Sequence, residues 1–164
     1  IWMSRYQDGH KIYLVVANAS IDEFGEPLFV KNKLLGEYNY VFANHNGKTI
    51  ENRIEGAKTQ LNPQLKSRDF LVVQNVLGIK RMDDNIILKL AVTKNDTLGI
   101  TRIEFDITSR ISTSFVVAIQ DGFSLQGIFL NGRNVETISY GDREYIFDAT
   151  ISPRDVLEVI LTPQ

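Results

Sequence analysis

Two histidines, His10 and His45, are the residues a proton-transferring catalyst would draw on first, and each falls in a predicted hairpin turn. A solvated turn residue is the simplest reading of both. No G-x-S-x-G or H-E-x-x-H accompanies them, so neither a nucleophile elbow nor a zinc helix is encoded. A two-histidine metal site would need both turns at one end of the molecule, with a carboxylate such as Asp8.

The carboxylates offer a second chemistry. Asp22, Glu23 and Glu26 surround Gly25 in one loop, and Asp83 and Asp84 precede Asn85. Calcium takes oxygen ligands from loops of this kind, which makes Asp22, Glu23 and Glu26 the candidate metal ligands. The D-x-[DN]-x-[DN]-G spacing of a dedicated calcium loop is absent, and an ordinary polar turn explains the same residues. A glycoside-cleaving pair needs two carboxyl groups about 5–10 Å apart across a cleft, a spacing that one sequence does not reveal.

Aromatic side chains are the third possibility, because flat rings stack on the apolar faces of pyranose sugars. Trp2, Tyr6, Tyr38 and Tyr40 are the candidate ligand-binding residues, with Tyr13 and Tyr140 as further rings. Trp2 is the single tryptophan, and it serves either as an exposed platform or as a plug for one end of the fold. Tyr38, Tyr40 and Phe42 recur at strand period, which equally suits core or cross-strand packing.

Composition narrows the rest. The 164 residues carry a net charge of -2, so no broad positive field is available for nucleic acid or an anionic membrane. There are 0 cysteines, which removes disulfides, thiolate metal sites and thiol catalysis. No phosphate-cradling G-x-x-x-x-G-K-[ST] or G-x-G-x-x-G occurs, and no cofactor is implied. The apolar runs are far shorter than the ~20 residues that cross a bilayer, so no membrane insertion by this segment is expected. Asn18-Ala-Ser20 and Asn95-Asp-Thr97 match the glycosylation acceptor pattern. The first residue is Ile1, which reads as a fragment or a processed chain.

The elements that would position these residues are short β segments between turn signals. The pivotal stretch is Thr113 to Gly132: strand, Asp121-Gly122 turn, strand, Asn131-Gly132 turn, with both turns expected to set hairpin register. Phe115 to Ile119 has no charge and must be central in a sheet or covered by a partner. Trp2–Tyr6 and Lys11–Asn18 flank a turn at Gln7-Asp-Gly-His10. Glu37 to Ala43 should form a hairpin with Thr49 to Ile54 through Asn44-His-Asn-Gly47, and residues 55–63 read as a long loop. Segment 67–77 suits a capped helix or a buried strand, and β-branching favours the strand. In the second half, Asn85–Thr93, Ile100–Thr108, Val135–Tyr140, Arg143–Ile151 and Val156–Leu161 alternate with turns. Arg102, Glu104 and Asp106 share one face, as guards of an edge strand do.

Ten to twelve short strands at this spacing predict an all-β fold, an antiparallel β-sandwich of Ig-like or jelly-roll-like type, with at most one short helix near 63–77. The chain is expected to be a single domain over 1–164, or alternatively two small subdomains, 1–78 and 79–164. Its turn grammar, ending in Asp155-Val-Leu-Glu-Val-Ile-Leu161, resembles the accessory β-sandwiches of larger secreted or cell-surface proteins, glycoside hydrolases and adhesins among them. The likeness assigns no residue a role. The functional expectation is a non-catalytic module for binding, scaffolding or surface assembly, with a protein partner or neighbouring domain. A carbohydrate-active module that takes a glycan is the alternative, and a viral or filament structural protein the second. An extracellular or cell-surface setting is expected, and the cytosol is also compatible with the composition.

Overall fold

A computed structural model of the chain describes residues 1–8, 11–31, 38–44, 52–55, 58–81, 90–92, 100–105 and 107–164. Its strands are β1 (Trp2–Asp8), β2 (Lys11–Ala17), β3 (Leu28–Lys31), β4 (Asn39–Asn44) and β5 (Asn52–Glu55). β6 (Lys58–Leu61), β7 (Phe70–Arg81), β8 (Leu90–Val92), β9 (Ile100–Phe105) and β10 (Ile111–Ile119) follow. The chain ends with β11 (Phe123–Leu130), β12 (Arg133–Val135), β13 (Ile138–Gly141), β14 (Glu144–Ile151) and β15 (Val156–Pro163). Pieces of three or four residues bring the number of described strands to fifteen. No helix occurs among the described residues, and 70–81 is a strand, as β-branching favours.

Two antiparallel sheets make a sandwich. One runs β1-β2-β7-β10-β14-β13 with β4 also on β7; the other runs β12-β11-β15-β9-β8-β5-β6-β3. Hairpins join β1 to β2, β5 to β6, β8 to β9, β11 to β12 and β13 to β14. The other connections cross from sheet to sheet. This corrects three expectations about connections. Asp121-Gly122 does not close a hairpin, because β10 and β11 lie in different sheets. β4 does not form a hairpin with β5: it pairs with β7, while β5 pairs with β6 and β8 in the facing sheet. Residues 55–63 are not a long loop, because Glu55↔Lys58 closes a two-residue connection and Thr59 and Leu61 of β6 point into the core.

The core lies between the sheets as two clusters. The larger gathers Leu77 and Ile79 of β7, Phe115 and Val117 of β10, and Phe147 of β14 against Ile103 of β9, Ile128 of β11 and Leu157 of β15. Phe115 stacks on Phe147 with ring centroids 5.4 Å apart and meets Phe105 at 5.9 Å. The smaller holds Ile12, Leu14, Val30, Phe42, Leu61 and Val73. Alternation along each strand sends every second residue inward, which is why these positions share parity.

β7 ties the two clusters together. Phe70–Gln74 pair with β2 and Leu77–Arg81 pair with β10, while β4 spans Val73–Ile79. A strand has two edges, and β4 overlaps both partners, so β2 and β10 lie end to end on the opposite edge. At their junction β7 is irregular, with Val76 unmatched between Phe42↔Asn75 and Val41↔Leu77. The fully buried Asn75 closes the gap: its Oδ1 accepts the Ile12 N–H at 2.8 Å, and the Gln120 N–H reaches the Val76 carbonyl at 3.1 Å.

Candidate functional site

The outward face of β1, β2 and β7 carries Trp2, Tyr6, Tyr13 and Phe70. Register aligns Trp2↔Ala17↔Phe70, Ser4↔Val15↔Val72 and Tyr6↔Tyr13↔Gln74. Directly opposed residues in an antiparallel sheet point to one side, about 5 Å from their neighbours. The intervening Ile12, Leu14 and Val16 are buried against the facing sheet, so the aligned set looks outward. Trp2 is 54% exposed, Tyr6 56% and Phe70 66%, around a half-buried centre of Tyr13, Val15 and Val72. Strand rise puts Trp2 and Tyr6 about 13 Å apart. The result is a flat, ring-edged apolar surface with Ser4 and Gln74 supplying polar groups within it. Exposed rings on such a face offer apolar area for contact.

Trp2 thus stands on an open face and does not plug the end of the sandwich. Tyr6 joins it, but Tyr38 does not. Tyr38 Oη donates to Glu144 Oε1 at 2.5 Å, and Lys80 Nζ lies 4.6 Å from the centre of its ring. Lys80 is ten residues along β7 from Phe70, roughly 30 Å at strand rise. Tyr40 is set opposite Gly78 in β4, on the far edge of β7 from β2. The sequence pattern did not single out Phe70. Its signal was the alternation of Phe70, Val72 and Gln74 with Leu71, Val73 and Asn75, of which only the second set turns inward.

The acidic loop is strapped by hydrogen bonds within the chain. Asn18 is 2% exposed; its Nδ2 donates to the Asp22 and Lys66 carbonyls, and its Oδ1 accepts the Ser20 N–H. Phe24 and Leu65 exchange two backbone hydrogen bonds of 2.8 and 2.9 Å. Asp22, Glu23 and Glu26 stand exposed on this strapped loop. Among the described residues no three His, Asp or Glu side chains converge as a metal-binding group. Asn18 spends both amide atoms inside the fold, so a glycan on it is incompatible with this arrangement. His10, His45, Asp83, Asp84 and Asn95 lie outside the described residues.

A second outward surface lies over β10 and β14, an open depression of about 390 Å³ lined by Ser112, Thr113, Ser114, Asp148, Ala149 and Thr150. Three of its hydroxyls are engaged in cross-strand pairs: Ser112 with Thr150 at 2.7 Å, and Ser114 donating to Asp148. These pairs act as rungs of the sheet. Further along the same face Val116 is fully buried, so the uncharged strand is central and covered within the chain.

No helix among the described residues is long and apolar enough to cross a membrane. Compared with models of protein families, with curated proteins and with solved structures, the chain matches none, so its functional reading rests on this geometry.

Proposed function

We propose that this protein is a non-catalytic binding module whose contact surface is the outward face of β1, β2 and β7, and that its ligand is a glycan. The observation that carries the reading is the alignment of Trp2, Tyr6 and Phe70 on one open sheet face around Tyr13. Rings lying on a rigid sheet lose little conformational freedom on binding, and they present the flat apolar area that pyranose faces match. An exposed apolar face bordered by polar groups is the kind of patch that marks an interaction site. The polar clusters elsewhere support the non-catalytic side, because Asn18, Asn75, Ser114–Asp148 and Asn131–Asp155 are each engaged in tying strands or loops together. An extracellular or cell-surface setting accords with such a ligand.

Trp2 is the single tryptophan, so its emission reports directly on this face. Titration with a panel of soluble oligosaccharides is expected to shift or quench it saturably for at least one sugar. Trp2→Ala and Phe70→Ala, the second followed by the same emission, should each remove that response or weaken binding of that sugar about tenfold, the loss of a central aromatic anchor. A panel without response, or Trp2→Ala binding the glycan on an array as the native chain does, would overturn the reading in favour of a protein partner for the same face.

A further inference from the structure

The longest regular edge in the described molecule is β1. Its seven residues pair without a break to β2, and no described strand pairs with its other side. The remaining edges are shorter or irregular. β12 and β3 have three and four residues, β13 has four with a shift of register, and β4 is interrupted at Val41/Phe42. An edge of this length offers a row of N–H and C=O groups to another strand, and natural edges are ordinarily blunted by charge, proline or a bulge. Trp-Met-Ser-Arg-Tyr-Gln-Asp has no proline and no bulge, and its charges are limited to Arg5 and Asp8.

A second copy of the same edge can meet it only in certain registers. A twofold axis perpendicular to a sheet keeps each face on its own side, so a self-pair must oppose residues of equal parity. Centring on Arg5 sets Arg5 against Arg5, which like-charge repulsion disfavours. Centring on Tyr6 runs Trp2 past the end of the partner strand. Centring on Ser4 sets Trp2 against Tyr6, Met3 against Arg5 and Ser4 against Ser4, with no like charges opposed and an aromatic pair at each end.

We propose that β1 pairs antiparallel with β1 of a second copy of this chain about a twofold axis at Ser4. Trp2 of each copy then lies beside Tyr6 of the partner subunit, and the outward aromatic faces of both copies join as one. This pairing requires no glycan. The contact is small, below the roughly 1,200 Å² of standard interfaces, so the association is transient and grows with concentration.

The chain has 0 cysteines, so one introduced thiol reports one position. Directly opposed residues have Cα atoms about 4.5–5.5 Å apart, within the range a disulfide spans. Ser4→Cys is expected to form a cross-linked dimer under mild oxidation at least tenfold faster than Arg5→Cys or the exposed Glu136→Cys. The native chain should show a sedimentation coefficient rising with concentration, and Ser4→Lys, which opposes two lysines, should abolish the rise. A constant monomer value for the native chain, faster cross-linking at Arg5→Cys, or equal rates at all three positions would overturn the proposal.

Discussion

Asn75 does the work of a missing strand residue. Its Oδ1 accepts the Ile12 N–H where β2 begins and β10 ends, and it is fully buried. Asn75→Ala deprives a buried donor of its acceptor, a loss of about 1–3 kcal/mol that urea denaturation would measure. Asn75→Asp retains an acceptor oxygen but buries a carboxylate, and is expected to recover stability only as the pH falls and that group protonates. Asn18→Ala should cost a comparable amount by releasing the Asp22 and Lys66 carbonyls. At this scale the sequence was a partial guide. Trp2 and Tyr6 were recognisable by type and by their four-residue spacing in one strand. Phe70 was hidden inside an apolar run whose two faces a single sequence does not distinguish. Tyr38 was grouped with Trp2 by type, yet its hydroxyl is held by Glu144 across 106 positions of sequence. Long-range pairings of that kind leave no local trace.

The turns show how far local chemistry reaches. Asn131-Gly132 is the hairpin turn its residues announce: both have positive φ, 49° and 79°, and Leu130↔Arg133 closes β11 on β12. Asp121-Gly122 has the same residue chemistry, with Gly122 at φ 91°, but it carries the chain from β10 in one sheet to β11 in the other. Arg143 fixes that corner. Its guanidinium donates to the Ile119, Gln120 and Phe123 carbonyls and lies 3.3 Å from the Asp121 carboxylate. Arg143 itself sits at φ 60°, where side chains other than glycine are strained. Replacing it separates the two effects. Arg143→Ala loses the three carbonyl contacts and keeps the strain, whereas Arg143→Gly loses the contacts and relieves it. Denaturant titration should find both variants destabilised and the glycine variant about 1 kcal/mol better than the alanine. Charge patterning was likewise legible in kind and not in place. Arg102 and Glu104 do face solvent, but β9 lies between β8 and β15, so they cover a sheet face and not an edge.

Across the whole molecule the architecture was more legible than the connections. Alternation, turn residues and short runs specify an antiparallel sandwich, because each strand has one apolar side that must be buried. Which strand pairs with which depends on contacts distant in sequence, so neither the crossings between sheets nor the role of β7 was visible. That strand bears on how the molecule unfolds. The smaller cluster draws on residues 12–73 and the larger on 76–161, nearly the division at 78/79 that composition allows. β7 nevertheless runs unbroken from Phe70 to Arg81, giving Val73 to one cluster and Leu77 and Ile79 to the other. A strand hydrogen-bonded to β2, β4 and β10 at once cannot leave one cluster without uncovering the other. We therefore expect one cooperative unfolding transition, coincident by Trp2 fluorescence from the β1 end and by far-ultraviolet circular dichroism from all strands. Phe115→Ala is the discriminating variant, since it removes a ring from the larger cluster only, at a cost of about 3–5 kcal/mol. In a coupled molecule it shifts both probes together. If the Trp2 signal keeps its native midpoint while the dichroism falls early, the two clusters unfold as separate subdomains and the coupling through β7 is refuted.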